Sequence, residues 1–413
     1  MRTSPVYYGW FVLAASAICE MLIQGATLYG APLFVIPLQD EFHISRAVAG
    51  SAVSFIIVGA LVMAPGIGRL LDTRPVRLIM TVGAVILGLS LSGIAITHSL
   101  LVMALILLVP MAVVFMCLGS LTTSTLASRW FARNRGLAFG IAAVATSGGS
   151  FTVVPLLSIA IRRYGWREAL LYEGIAMAGI IVCLALLILR DRPSDLGLEN
   201  HPENLLPASA LAMPVTGELK WKSVFTSRAF WIPGLVLAAV SGTCQALVVT
   251  LYPYSVKQLG FAAGQATLLI SAFGIAAAAT KILAGVLADH VNERPLLITA
   301  AAFMTVSWSI LSLSAGYGAL LASSAFAGSA LGCAMPTASR MIAGSFGANN
   351  FGRVMSWIYV LTGVIAVVSP YFAGFMYDRS GGYQAAFECF VALLAVLLVI
   401  TLLLAPGKPL QDA

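Results

Sequence analysis

Two ionisable side chains stand where the surrounding sequence is otherwise apolar. Lys281 is the only charge between Gln265 and Ala288, a run long enough and apolar enough to cross a bilayer as a helix. At ~1.5 Å per residue it stands ~12 Å from Asp289 at the helix end, close to the middle of a ~30 Å core. A lysine at that depth costs at least ~2.5–3.5 kcal/mol to insert, so it calls for a polar cavity or a partner. Snorkelling would have to carry the ammonium across most of half a bilayer. Its chemistry is anion binding, with a structural ion pair as the competing role. Glu20 is the second deep charge, ~15 Å along a helix from Trp10. Ser16, Glu20, Gln24 and Thr27 recur at i, i+4, i+8 and i+11, one face of a helix, and this polar stripe is expected to line a cavity. Two roles are open to Glu20. It can accept a proton coupled to substrate, because burial raises a carboxylate pKa toward the working range. It can also neutralise Lys281 when no substrate is bound.

Around these two charges, Tyr29, Gln24, Gln245 and Trp357 are expected to supply hydrogen bonds or apolar wall to a substrate pocket. Tyr252 and Tyr359 are weaker candidates, since aromatic residues at helix ends commonly form interfacial belts. Glu173 and Glu388 read as interfacial groups or as caps for arginines such as Arg167. No catalytic constellation and no phosphate-cradling glycine loop is present, so neither an enzyme nor an ATP-driven pump is expected. The six cysteines fall in apolar segments without metal-ligand spacing, and no cofactor or metal is expected. The basic residues are dispersed and the aromatic content is low, which argues against nucleic acid.

The elements that must carry these groups follow from composition. Only 9% of the 413 residues are charged and 60% are hydrophobic, against about 25% charged in a soluble protein. This is a polytopic membrane protein in which the lipid bilayer is the main partner. Hydropathy predicts twelve spans, at 8–36, 47–68, 78–97, 99–127, 136–161, 168–189, 229–256, 265–288, 296–314, 317–339, 354–377 and 384–405. The proline-rich polar stretch that interrupts them divides the chain into an N-terminal six-helix bundle at 1–190, a cytoplasmic linker at 191–228 and a C-terminal six-helix bundle at 229–413. With both termini inside, 16 Lys and Arg face the cytoplasm and 6 face outward, which predicts that orientation. The first long helix is expected to act as an uncleaved signal anchor.

The two halves repeat. Gly68-Arg-Leu-Leu-Asp72 matches Gly285-Val-Leu-Ala-Asp289 at an offset of 217, and Arg77 matches Arg294 at the same offset. Near the start of each half the offset is 221, pairing Trp10 with Trp231 and Pro32 with Pro253. Such a repeat predicts two six-helix bundles related by a pseudo-two-fold axis along the membrane normal, with the binding site at their interface. In the first copy Gly68, Asp72, Arg74 and Arg77 are expected to form a cytoplasmic gating motif, with glycine allowing close helix approach. Gly285, Asp289 and Arg294 form the second copy, in which His290 replaces the basic residue.

That Gly-x-x-x-Asp-x-Arg signature resembles the loop motif of the major facilitator superfamily, which implies an all-α fold of twelve transmembrane helices. Trp130-Phe131-Ala-Arg133-Asn-Arg135-Gly136, with Tyr8-Gly9-Trp10, Tyr29-Gly30 and Ser45-Arg46-Ala47, resembles the monocarboxylate transporter group, which includes the oxalate:formate antiporters. Pro193-Ser-Asp195-Leu-Gly197 and the set Pro370, Gly374, Asp378 and Gly381 fit the same group. The group's anion-binding arginine lies in helix eight with a glycine four residues later. Lys281 and Gly285 occupy that place, trading a bidentate fork for a point charge. The aspartate that many members carry one turn earlier is replaced by Ala277, and no charge lies between Arg353 and Asp378, where the oxalate exchanger has a second lysine. One cation favours a monoanion. The expectation is a secondary transporter of small monocarboxylate anions, working by alternating access with protons in symport, or by anion exchange, as a monomer in a bacterial inner membrane. The alternative is a proton-driven efflux pump for amphipathic compounds, with Glu20 binding cations.

Overall fold

The computed structural model describes residues 7–131, 135–198, 221–287, 293–313, 316–346 and 348–404. In chain order the helices are α1 (Gly9–Gln24), α2 (Pro32–Phe42), α3 (Arg46–Gly50), α4 (Ala52–Thr73), α5 (Val76–Ile96), α6 (Leu100–Leu108), α7 (Pro110–Leu118), α8 (Ser120–Trp130) and α9 (Arg135–Tyr164). They continue as α10 (Trp166–Leu187), α11 (Trp221–Thr226), α12 (Arg228–Pro253), α13 (Ala263–Leu287), α14 (Glu293–Leu313), α15 (Tyr317–Phe346), α16 (Ala348–Ser380) and α17 (Gln384–Leu404). Among the described residues, 11 helical stretches are long and apolar enough to cross a membrane. The second expected span is α4, a 22-residue helix that contains the apolar stretch Ala52–Met63.

Helix breaks occur where the sequence removes a backbone donor. The first expected span is divided: α1 gives way to a π-helical turn at Gly25–Tyr29, and Pro32 then opens α2. Its repeat counterpart Pro253 ends α12 and is followed by a second π turn at Tyr254–Gln258. Such wide turns relieve an interrupted hydrogen-bond ladder. The fourth expected span is three short helices, broken at Pro110 and at the extended Gly119.

The chain forms two compact units, Met1–Gly30 with Phe55–Ala212, and Ala31–Ser54 with Met213–Ala413. Residues 31–54 group with the second unit because α2 packs on α12 and α3 packs on α16. Asp378 of α16 caps α3, accepting from the backbone N–H groups of Arg46 at 3.1 Å and Ala47 at 3.2 Å. Gly374 faces Ala47 so closely that a Cβ would lie 2.5 Å from its Cα. Arg46 is 5% exposed, and its guanidinium stacks 4.0 Å from the Tyr377 ring and donates to the Tyr383 hydroxyl at 3.4 Å. Burial raises the Tyr383 phenol above its ordinary pKa, with the neighbouring Arg46 charge opposing. Lys257 adds an exposed ion pair with Asp40 at 3.2 Å. Of the expected linker, Pro193–Leu196 is a single 3-10 turn and Trp221–Thr226 is helical, and 199–220 lie outside the described residues.

A second cluster joins the start of α1 to the end of α8 within the first unit. Trp130 is fully buried, and its indole N–H donates to the Arg190 carbonyl at 3.0 Å. Tyr7 donates to the Trp130 carbonyl at 2.8 Å, Tyr8 donates to the Ile188 carbonyl at 2.9 Å, and the Trp10 ring lies tilted against Phe131 at 4.4 Å. Gly9 is required here, since a Cβ would meet the Tyr7 ring at 2.4 Å.

Candidate anion and proton sites

In the first unit, α1 carries the polar stripe and packs on α8 and α9. Close approach to α9 needs Gly149, where a Cβ would stand 2.5 Å from the Met21 carbonyl oxygen and 2.3 Å from the Gly25 nitrogen. All four stripe residues are buried, Glu20 completely. Two of them spend their hydroxyls on their own helix: Ser16 donates to the Leu13 carbonyl at 3.0 Å and Thr27 to the Ile23 carbonyl at 2.6 Å. Thr123 reaches the Ser16 carbonyl at 3.4 Å. That leaves Glu20 and Gln24 as the stripe members with chemistry to offer. The Gln24 amide oxygen is buried and accepts no hydrogen bond among the described residues. Gln245 on α12 stands 221 residues later, at the repeat-equivalent position, and its buried amide nitrogen likewise has no acceptor there. A buried amide without a partner is uncommon and points to a ligand or water that completes it. The matched glutamines were separate candidates in the sequence, and the 221-residue offset could have paired them. Tyr29 is buried in the π turn that follows Gln24.

In the second unit, Lys281 lies on α13 and is half-buried. It is within electrostatic reach of Cys244, the neighbour of Gln245 on α12. Its backbone is set by α15, where Gly328 and Gly332 form a four-residue glycine repeat facing α13. A Cβ at Gly328 would lie 2.1 Å from the Phe273 carbonyl oxygen, and one at Gly332 would lie 2.6 Å from that of Ala277 and 3.1 Å from the Lys281 nitrogen. Trp357 is elsewhere in character: it is 49% exposed, and its ring edges against Trp221 and Phe225 in a surface aromatic cluster. The sequence could not separate it from a pocket residue because both readings put a tryptophan in an apolar helix.

The gating-motif residues divide. At Gly68 a Cβ would meet nothing within 4 Å among the described residues. Arg74 is exposed. Asp72 and Gly285 lie within α4 and α13, and Asp289 falls outside the described residues. Arg77 ties α5 to the end of α10, donating through Nη2 to the Leu186 carbonyl and through its backbone N–H to Asp191 at 3.1 Å. Arg294 repeats this bond in the second unit, from α14 to the Leu402 carbonyl of α17 at 2.9 Å. The matched arginines therefore make matched helix-end contacts. Glu173 does not cap Arg167. Both its buried oxygens lack a hydrogen bond among the described residues, while Arg167 donates to the Ala95 and Thr97 carbonyls at 2.6 and 2.8 Å. Those carbonyls end α5, so Arg167 serves a helix C-terminus, where positive charge is favoured. Glu388 accepts from Gln384 at 3.1 Å and is exposed.

A family model described as Major Facilitator Superfamily matches residues 13–262 and 235–412. This chain belongs to the Major Facilitator Superfamily. It is therefore a transporter and not an enzyme. It is 28% identical over 396 residues to monocarboxylate transporter 11 of Mus musculus, covering 92% of this chain and 83% of that one. The Homo sapiens protein of the same name is also 28% identical over 396 residues, with 92% and 79% covered. An uncharacterised transporter of the superfamily, YcxA of Bacillus subtilis (strain 168), is 28% identical over 193 residues, 47% of each chain. Among solved structures, a D-xylose-proton symporter superposes with a TM-score of 0.74 at 16% identity, covering 98% of this chain and all of that one. The nucleoside transporter NupG gives 0.71 at 15% identity, covering 97% of this chain and 100% of that one. At that identity the likeness speaks to fold alone.

Proposed function

We propose that this chain carries small monocarboxylate anions across a membrane in symport with protons. Lys281 binds the carboxylate, Glu20 takes the coupled proton, and Gln24, Gln245 and Tyr29 orient the remaining polar atoms of the substrate. The observation that carries this reading is Lys281 itself, the one charged side chain in the 25 residues of α13, in a chain aligned over 92% of its length with proteins named monocarboxylate transporters. A single ammonium matches one carboxylate. A second anionic group would need a second countercharge, and α16 has none between Arg353 and Asp378. Among the described residues the buried Gln24 amide oxygen lacks a donor and the buried Gln245 amide nitrogen lacks an acceptor, a pair that suits a substrate with a hydroxyl beside its carboxylate. The excess of Lys and Arg on one side supports a reading with both termini in the cytoplasm.

The test is uptake of labelled lactate, pyruvate, formate and aromatic acids into proteoliposomes, with and without an inward proton gradient. Gradient-stimulated uptake is expected. Lys281→Ala should lower apparent affinity by about 10–100-fold, the worth of a charge-assisted hydrogen bond, while the protein still inserts and elutes as a folded species. Normal transport by that variant would refute the anion site. Glu20→Gln should retain substrate binding and lose the gradient response. Uptake only into vesicles preloaded with another anion would replace symport by exchange and leave Glu20 as charge balance.

A further inference from the structure

We infer that Glu173 is a proton site of its own, separate from Glu20: a carboxyl that stays protonated within the membrane and reacts there with apolar carbodiimides. It lies on α10 seven residues past Trp166, ~10 Å into a 22-residue apolar helix. Both carboxyl oxygens are buried, and neither makes a hydrogen bond among the described residues. Leu170 and Met177, a turn to either side, are buried as well. The next residue, Gly174, brings α5 so close that a Cβ there would stand 3.0 Å from that of Leu91.

The helices around Glu173 bring no cation to it. Apart from Glu173 itself, α10 carries no charge between Glu168 and Arg190. Of the helices packed on it, α5 has none between Arg77 and His98, and α9 has none between Arg135 and Arg162. The cations nearest along the chain are engaged elsewhere. Arg162 donates to the Ser158 hydroxyl at 2.8 Å, and Arg167 donates to the Ala95 and Thr97 carbonyls and lies 3.2 Å from the His98 ring nitrogen. Tyr164 and Tyr172 meet each other edge to face at 5.5 Å. Helix α1 reaches the far end of α10 through the bond of Tyr8 to the Ile188 carbonyl, and its own titratable groups, Cys19 and Glu20, are not cations. A buried carboxylate with neither a cation nor a donor is far costlier than the neutral acid, so the proton is retained. The neutral acid spends neither its O–H nor its carbonyl on the fold, so an apolar side chain of similar size would serve packing equally well. The residue is partly exposed on a helix that crosses the bilayer, which gives a reagent dissolved in the apolar phase a route to it.

Dicyclohexylcarbodiimide reports the un-ionised acid. The carboxyl proton passes to one carbodiimide nitrogen, the carboxyl oxygen bonds to the central carbon, and an acyl shift to nitrogen leaves a stable N-acylurea with no atom lost. The experiment treats the purified full-length chain with this reagent at pH 7 and maps the adduct by peptide mass spectrometry. At that pH an ordinary exposed glutamate is protonated roughly once in 500, so it competes poorly. The adduct should map to Glu173, survive in Glu20→Gln and be lost in Glu173→Gln. Without reagent, the infrared difference between the parent and Glu173→Gln should show the carbonyl stretch of a protonated acid. Glu173→Leu should melt at or above the parent, because it removes an unpaired acid. No adduct at Glu173 in the folded parent, or an ionised-carboxylate band in that difference spectrum, would overturn the proposal. A lower melting temperature for Glu173→Leu would overturn it too, since the carboxyl would then have a partner in the fold.

Discussion

Replacing Gly332 by alanine adds one methyl group at the contact that sets the backbone of Lys281. The new Cβ would stand 2.6 Å from the Ala277 carbonyl oxygen, 2.9 Å from the Thr280 Cβ and 3.1 Å from the Lys281 nitrogen, where ordinary contact begins at 3.4 Å. The shortest of these falls about 0.8 Å short, and two of the three atoms are backbone, which cannot rotate away. Helices α13 and α15 must separate or slide by most of that distance. Overpacking of this kind costs about 1–3 kcal/mol, or roughly 2–12 °C in melting temperature for a unit of this size. Gly179→Ala on α10 is the matched control, because a Cβ there meets nothing within 4 Å. At that site the helix gains alanine's propensity, up to about 1 kcal/mol, so the sign is reversed. The assay is thermal unfolding of both variants in the same detergent, followed by uptake. Gly332→Ala should melt lower and bind substrate more weakly, since Lys281 moves with α13. Gly179→Ala should melt at or above the parent and transport normally. Equal melting of the two variants would refute the argument that the Gly328–Gly332 face sets the position of Lys281.

Three further outcomes follow from contacts away from the two deep charges. Arg46→Ala removes a buried guanidinium from two tyrosine rings, and thermal unfolding should show a loss of about 1–3 kcal/mol, with Arg46→Lys recovering only part because an ammonium lacks the planar fork. Trp130→Phe keeps an aromatic ring against Tyr7 and Tyr8 but deletes the indole bond to the part-buried Arg190 carbonyl, which should cost about 1 kcal/mol. Tyr383 gives a pH dependence: burial holds its phenol neutral above its ordinary value, so the unfolded chain ionises first as pH rises. Its stability contribution is complete below pH ~10 and is lost above it, and Tyr383→Phe should show a flatter melting profile there.

The sequence made the helices legible and much of the site's geometry illegible, and the same physics explains both. A bilayer permits only segments that satisfy their own backbone, so apolar runs translate directly into spans. Breaks within a span depend on where a missing donor is compensated, which is why 8–36 and 99–127 read as single helices. The motif residues were legible as a set but not as contacts. Tyr8-Gly9-Trp10 and Trp130-Phe131 form one aromatic cluster, and Ser45-Arg46-Ala47 meets Gly374 and Asp378, yet nothing in linear spacing joins positions more than 100 residues apart.

Gly68 shows the opposite failure. A glycine beside charges suggested close packing, but Gly149, Gly328 and Gly332, which do carry backbone contact, lie in stretches without a charge to draw attention. A helix crossing is a property of two sequences at once, so one glycine gives no hint of what it faces. The repeat is the one place where distant contacts can be read in advance. Arg77 and Arg294 share an offset and make the same bond to the last turn of the helix closing their own half. Gln24 and Gln245 share the other offset, and each has one buried amide atom without a hydrogen bond among the described residues, the oxygen of Gln24 and the nitrogen of Gln245. The arginine bond ends on a backbone carbonyl, which any residue supplies, so duplication preserves it while side chains around it diverge. The glutamines cannot be explained that way. An unsatisfied buried amide is a cost in each half separately, and its presence at matched positions is accounted for when something outside the polypeptide supplies the missing partners.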